Sequence, residues 1–167
     1  MKVLLNNFQF KEGVKALSDE IINNHPECNF AIIGIQQGGV VLAEEIVKYI
    51  SSATNHKLDF GKLDVTFYRD DLHKKIMSPD KMHLPFDVEN RIIILVDDVL
   101  FTGRTIKAAL DVLLDYGRPA KVELCVMADR QEFRQFPIRS DYNFYNGKTF
   151  VSDKIKIING QLVISNH

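Results

Sequence analysis

The stretch that decides the fold is Arg91–Tyr116, RIIILVDDVLFTGRTIKAALDVLLDY. It reads in three pieces: an unbroken apolar run over Ile92–Val96, a polar turn over Asp97–Thr105, and a helical pattern from Ile106 onward. A short apolar run rich in β-branched residues predicts a strand covered on both faces, as in a parallel sheet. Ile106, Ala109, Leu110 and Leu113 recur at helical spacing, and Gly117 and Pro119 stop the pattern. Asp97 and Asp98 therefore stand at the carboxyl end of a central strand, just before a small-residue turn that opens a helix. Open α/β sheets bind ligands at that edge, and the free N–H groups of a helix start favour phosphate. The competing reading is an ordinary connection, with Thr102 or Thr105 as N-cap and two solvated aspartates. Adjacent acids, Gly103 and two threonines falling together argue against it. The turn lacks GxxxxGK[ST] and GxGxxG, so neither an ATPase nor a dehydrogenase is indicated. Adjacent carboxylates accept hydrogen bonds from a sugar diol while the following turn holds a phosphate. That combination suits a ribose-5-phosphate group.

Working outward, Val14, Leu17, Ile21 and Ile22 give Lys11–Asn24 an amphipathic helical pattern that Pro26 breaks. Phe30–Ile35, FAIIGI, reads as a second buried strand. It feeds the turn Gln36-Gln37-Gly38-Gly39 and a helix over Val40–Ser52, repeating the strand–turn–helix arrangement at the same sheet edge. Phe60–Arg69 alternates partly and reads as a long strand, with Leu63, Val65 and Phe67 on one side. Asp70–Asn90 is polar, and a connection of that length in a compact domain is expected to be a lid or a solvated hairpin. Lys121–Asp129, KVELCVMAD, is another buried strand, so alternating strands and helices predict a parallel sheet with right-handed crossovers. Beyond Arg130 the chain turns irregular and aromatic-rich, and Lys154–Ile158 and Gln161–Ile164 form a hairpin about Asn159-Gly160. This last part is expected to cap the sheet edge.

At 167 residues the chain suits one domain with a sizeable core, and 46% hydrophobic with 26% charged residues is ordinary for a globular protein. A net charge of −1 sets up no global field for nucleic acid. Cys28 and Cys125 lie far apart and read as small hydrophobes in a reducing cytoplasm. No apolar run approaches the roughly 20 residues of a membrane span. The expectation is a cytoplasmic protein with no membrane partner.

VDDVLFTGRT resembles the signature by which type I phosphoribosyltransferases bind phosphoribosyl pyrophosphate (PRPP). Together with FYRDDL upstream and ADR…PIRSDY downstream, it is similar to the PyrR family, whose members act as uracil phosphoribosyltransferases and, in some bacteria, as RNA-binding attenuators of the pyrimidine operon. The resemblance runs from about Val14 to Lys148. It implies the type I phosphoribosyltransferase fold: a central, mostly parallel sheet flanked by helices, a flexible lid at about 70–90 and a small C-terminal hood at about 130–167. By the same resemblance Asp97 and Asp98 are the catalytic pair and hold the ribose hydroxyls. Val99, Leu100, Phe101, Thr102, Gly103, Arg104 and Thr105 complete the ribose and 5-phosphate loop. Gln36, Gln37, Gly38, Gly39 and Arg69 would face pyrophosphate, where the family carries basic residues in a K-T-R-G-like pattern. His73, Lys74 and Lys75 would bring charge with the lid. Lys148, Phe150 and Val151 would bind the base, with backbone groups near Phe150 and Val151 reading its edge. Mg²⁺ is the implied cofactor, carried mainly by PRPP with Asp97 and Asp98 beside it.

The implied reaction is phosphoribosyl transfer from PRPP to uracil, giving UMP and pyrophosphate, in a homodimer or higher homo-oligomer. Two alternatives stay open. One is an acceptor such as hypoxanthine or guanine. The other is an RNA-binding regulator sensing nucleotide through the PRPP site. Arg134, Arg139 and Lys148 stand where RNA-binding members carry basic residues, whereas Asp19 replaces a histidine on the RNA-facing side of the first helix.

Overall fold

Ile92–Val96 lies at the heart of the molecule because every one of its neighbours in the sheet is another strand or a helix. In the computed structural model, which describes residues 1–65 and 82–165, the elements are β1 (Lys2–Leu5), α1 (Asn7–Asn24), β2 (Ala31–Ile35), α2 (Gly38–Thr54), β3 (Asp59–Leu63), β4 (Met82–His83), β5 (Ile92–Leu100), α3 (Arg104–Tyr116), β6 (Lys121–Asp129), β7 (Lys154–Ile158) and β8 (Gln161–Ser165). The main sheet has the order β4-β3-β2-β5-β6. All its pairings are parallel except the edge pair β3–β4. Ala31, Ile33, Ile93 and Leu95 pack on one face beneath Ile106, Ala109, Val112 and Leu113 of α3. Ile32, Ile94 and Val96 pack on the other face beneath α1 and α2. Both faces are dry, which is why these strands read as continuous apolar runs.

Helix α1 begins at Asn7, earlier than the Lys11 start expected from apolar spacing. The Asn6 side chain accepts from Gln9 N at 2.9 Å and the Gln9 side chain accepts from Asn6 N at 3.0 Å, a capping box. The expected strand Phe60–Arg69 is shorter: β3 ends at Leu63, Asp64 and Val65 leave the ladder, and residues 66–69 lie outside the described ones. Of the expected lid, residues 82–90 are described, and they are packed against the sheet. Met82 and His83 pair with Leu63 and Lys62, and Val88 is buried. Gly61 permits this, since a Cβ there would stand 2.6 Å from the Leu84 side chain. Residues 82–90 thus belong to the sheet's edge and core and not to a polar connection, because Leu84, Phe86 and Val88 supply apolar contacts.

The second sheet, β1-β8-β7, is antiparallel and joins the chain's first strand to its terminal hairpin. Asn159 and Gly160 both have positive φ, at 48° and 70°, as a type I′ turn requires. Between β6 and β7 the aromatic segment runs along β6, bridging Cys125 to Tyr142 and Ala128 to Tyr145. No helix among the described residues is long and apolar enough to cross a membrane.

Candidate active site

The ladder of β5 continues through the two acids instead of stopping at Val96. Asp97 pairs with Val126 and Leu100 with Asp129, and buried Leu100 anchors the strand's end. Asp97 Oδ1 accepts from Asp98 N at 2.9 Å, and Asp98 Oδ1 accepts from Val99 N at 2.8 Å. Asp97 is only 6% exposed. Burial pushes its carboxyl well above the ordinary range, and the neighbouring Asp98 charge adds to that. Burial also raises Asp98, against the lowering effect of hydrogen bonds with Asp97 and the backbone. The pair is thus poised to gain from a ligand that brings hydroxyl donors or positive charge.

The start of α2 leans on this pair. A Cβ on Gly38 would lie 2.1 Å from Asp98 Oδ2, and one on Gly39 would lie 2.5 Å from the Val96 carbonyl oxygen. The two glycines let the helix begin in contact with the end of β5, and Gln37 caps it without a side-chain hydrogen bond. The Gln36–Gln37 peptide is cis. Helix α3 begins in the same manner: its N-cap is Gly103 at φ 92°, again with no side-chain hydrogen bond, so neither Thr102 nor Thr105 is the cap. The Arg104 N–H donates to Thr102 Oγ1 at 3.3 Å, and the helix start lines, with Asp97 and Val99–Gly103, a cleft of about 140 Å³, a size suited to one phosphate. Arg104 lies on its rim, with Nε donating to Gln135 Oε1 at 3.1 Å.

A larger cavity of about 650 Å³ adjoins the cleft. Gln36, Gln37 and Gly38, the acids Asp97 and Asp98, and the hood residues 151–155 all line this cavity. The structure thus brings together the first turn, the acids, Phe101, Thr105 and Val151, while Gly39 is buried and not part of the lining. Lys148 and Phe150 fall elsewhere, lining a separate pocket of about 480 Å³ with Glu132 and Gly147. Phe150's backbone is also occupied: its carbonyl accepts from Arg130 at 2.5 Å and from Asp153 N at 2.9 Å, and its N–H donates to Asp153 Oδ2 at 2.7 Å. The Phe150 backbone groups, which the resemblance places at the base edge, are thus bonded within the hood. Arg69, His73, Lys74 and Lys75 lie outside the described residues.

Sequence reasoning missed Arg130, Asp153 and Lys154, all of which line the cavity. The available signal was position: Arg130 directly follows β6, whose Asp129 is in register with Leu100 at the ligand-binding edge. Arg134 is committed internally, paired with Asp129 and donating to the Phe101 carbonyl at 2.7 Å. No cluster of three or more metal-ligating side chains occurs among the described residues.

Comparison with known proteins agrees with this geometry. The phosphoribosyl transferase domain family matches residues 2–160. "Bifunctional protein PyrR" of Pasteurella multocida is 41% identical over 164 residues, covering 93% of this chain and 89% of that protein. The protein of the same name from Actinobacillus succinogenes is 40% identical, with 93% and 90% covered. Among solved structures, a hypoxanthine phosphoribosyltransferase of Trypanosoma cruzi superposes with TM-score 0.76 at 14% identity, covering 98% of this chain and 95% of that one. One from Staphylococcus aureus gives TM-score 0.66 at 20% identity, covering 85% and 74%. At those identities the structures share the fold. With the whole main sheet, its acid pair and the cleft at the start of α3 inside the matched span, the chain belongs to the phosphoribosyl transferase domain family and, within it, to the PyrR-like proteins.

Proposed function

We propose that the protein transfers the 5-phosphoribosyl group from PRPP to a nucleobase, with uracil as the acceptor. The observation that carries this reading is the acid pair Asp97 and Asp98 in a cavity shared with the hood turn and adjoined by the cleft at the start of α3. In the displacement the anomeric C1–oxygen bond to pyrophosphate breaks, the bond from C1 to the base nitrogen forms, and the proton on that nitrogen is lost. Positive charge develops on the ribose and negative charge on the leaving group. No covalent nucleophile is needed; the site must position both substrates, stabilise the charges and exclude water. Asp97 and Asp98 accept from the ribose hydroxyls and face the developing positive charge. The N–H groups at the start of α3, with Thr102 and Thr105, hold the 5-phosphate. The start of α2 and the amides of Gln36 and Gln37 face the pyrophosphate.

Asp97 and Asp98 are adjacent hard oxygen donors lining the cavity, a set that fits Mg²⁺ shared with substrate oxygens. When bound, the ion neutralises charge on the leaving pyrophosphate. Uracil is supported by the FYRDDL and PIRSDY resemblance and by the PyrR relatives. Incubation with PRPP, Mg²⁺ and each base, following pyrophosphate, should show release that depends on uracil. Release with purines alone would refute uracil specificity.

A second reading, RNA binding with nucleotide sensed at the same cavity, draws support from the relatives' name and from exposed Arg139 and Lys148. Asp19 weighs less against it than its charge implies, because Lys15 pairs with it at 3.0 Å and Tyr49 donates to it at 2.9 Å. Titration with leader RNA at two salt concentrations tests this reading, since phosphate contacts give a steep salt dependence.

A further inference from the structure

Arg130 is a buried cation, 4% exposed, at the ligand-binding end of β6. Its guanidinium lies 4.1 Å from the centre of the Phe101 ring and 4.8 Å from that of Phe133. Phe101 belongs to the loop that leads into the phosphate cleft, and its ring also meets Phe133 edge-on at 5.4 Å. The three nitrogens all reach into the hood. Nε donates to Thr149 Oγ1 at 3.0 Å, one terminal nitrogen to the Asp153 carbonyl at 3.1 Å, and the other to the Phe150 carbonyl at 2.5 Å. The last two bonds bracket Val151 and Ser152, which line the main cavity together with the Gln36–Gly38 turn.

This turn has no ladder of its own. It is closed by Asp153 N donating to the Phe150 carbonyl and by Phe150 N donating to the Asp153 carboxylate, both bonds within the turn. The bonds from Arg130 attach it to the end of β6. A guanidinium suits this task, because its planar fork presents several donors in fixed directions while its face stacks on an aromatic ring. A lysine presents its donors from a single nitrogen on a flexible stem and lacks both the fixed fork and the planar face.

We infer that Arg130 is a positioning residue for the acceptor base: it sets the Val151–Ser152 turn against the ring and fixes that turn relative to Phe101 on the ribose side. This rests on the transferase reading of the cavity. The ribose and phosphate groups are held by Asp97–Thr105, and the Phe101 carbonyl is separately held by Arg134, so loss of Arg130 acts on the base side of the site. Misplacing one reacting partner by an ångström costs about a hundredfold in rate when that partner is the nucleophile.

The test is steady-state kinetics with uracil and PRPP, together with calorimetric binding of PRPP, on the wild type, Arg130→Lys, Arg130→Ala and Thr149→Val. Arg130→Lys and Arg130→Ala should both raise KM for the base by about tenfold or more, with Kd for PRPP within about threefold of wild type. Thr149→Val, which removes one acceptor and keeps the side-chain shape, should give a smaller rise in the same parameter and serves if the arginine variants do not fold. An unchanged base KM in the folded variants, or equal losses for base and PRPP, overturns the inference while leaving the transferase reading standing. Absence of PRPP binding by the wild type overturns both.

Discussion

Asp97 carries the tension of the site. Its folded-state pKa is raised, so between the ordinary carboxylate value near 3.9 and that higher value the folded chain holds a proton that the unfolded chain has lost. Stability therefore falls as pH rises through this window, and the penalty is fully present above it. Asp97→Asn keeps the acceptor used by Asp98 N and removes the buried charge. It should abolish PRPP-dependent turnover and, at neutral pH without substrate, raise Tm by a few degrees. An unchanged or lowered Tm in thermal unfolding would sink this account of the burial. Gly38 is the complementary case. An added methyl must displace the Asp98 carboxylate, which Val99 N holds, so Gly38→Ala should lower kcat/KM for PRPP by about a hundredfold. The overlap also reaches Asp98 Cγ and Cβ, at 2.6 and 2.9 Å, so overpacking should lower Tm by a few degrees while the protein stays folded at assay temperature. A loss of activity that tracks a loss of fold would instead make Gly38 a packing residue.

Both helix starts at the cavity rest on glycine: α2 because side chains there would meet the end of β5, and α3 because its N-cap backbone is left-handed. Gly103 caps α3 at φ 92°, with its nearest neighbour, Phe136 Cβ, 3.4 Å from where a Cβ would be. Space is adequate there, and the left-handed backbone is the obstacle. Gly103→Ala should cost about 1–2 kcal/mol in denaturant unfolding and weaken PRPP binding along with it. A neutral substitution would mean that the loop does not need its left-handed residue. The α3 loop was legible in the sequence because its requirements are local: apolar run, acids, glycine, threonines, apolar period. β1 and β4 were not, since Lys2–Leu5 becomes a strand only through β8, far along the chain, and Met82–His83 only through β3. The hood side of the site was hidden for the same reason. Val151 was singled out, but what holds it is Arg130, whose partners Phe101, Thr149 and Asp153 come together only on folding. Lys148 and Phe150 looked equivalent to Val151 in sequence, yet the turn at 150–153 sends them to a different pocket.

The ligand edge is strained by buried acids, and the opposite end of the sheet is where ionisable groups are satisfied. Glu123 stands six residues before Asp129 on β6, about 20 Å away along the strand. Its Oε1 accepts from the Tyr142 hydroxyl at 2.9 Å and meets His25 Nε2 at 2.5 Å, while Oε2 pairs with Lys121 at 3.2 Å. These contacts join the C-terminus of α1, the start of β6 and the aromatic segment, and Asn24 adds a hydrogen bond to the Tyr142 hydroxyl at 3.1 Å. Burial pushes the Glu123 carboxyl up, but hydrogen bonds from His25, Tyr142 and Lys121 outweigh it and leave the group below its ordinary range. A depressed carboxyl contributes stability that is present above the unfolded pKa and is lost as pH falls through the folded one. Glu123→Gln keeps the shape and one acceptor while removing the charge, so it should cost about 2 kcal/mol at neutral pH, or roughly 5 °C in Tm. The gap between wild type and variant should close as the pH falls through the depressed folded-state pKa, where the wild-type carboxyl is itself protonated. Because the network lies at the far end from the cavity, KM for PRPP and for the base should be unchanged at temperatures where the variant is folded. A pH-independent gap would assign the stabilisation to packing instead of charge. Altered substrate affinity in the folded variant would mean that the two ends of the sheet are coupled.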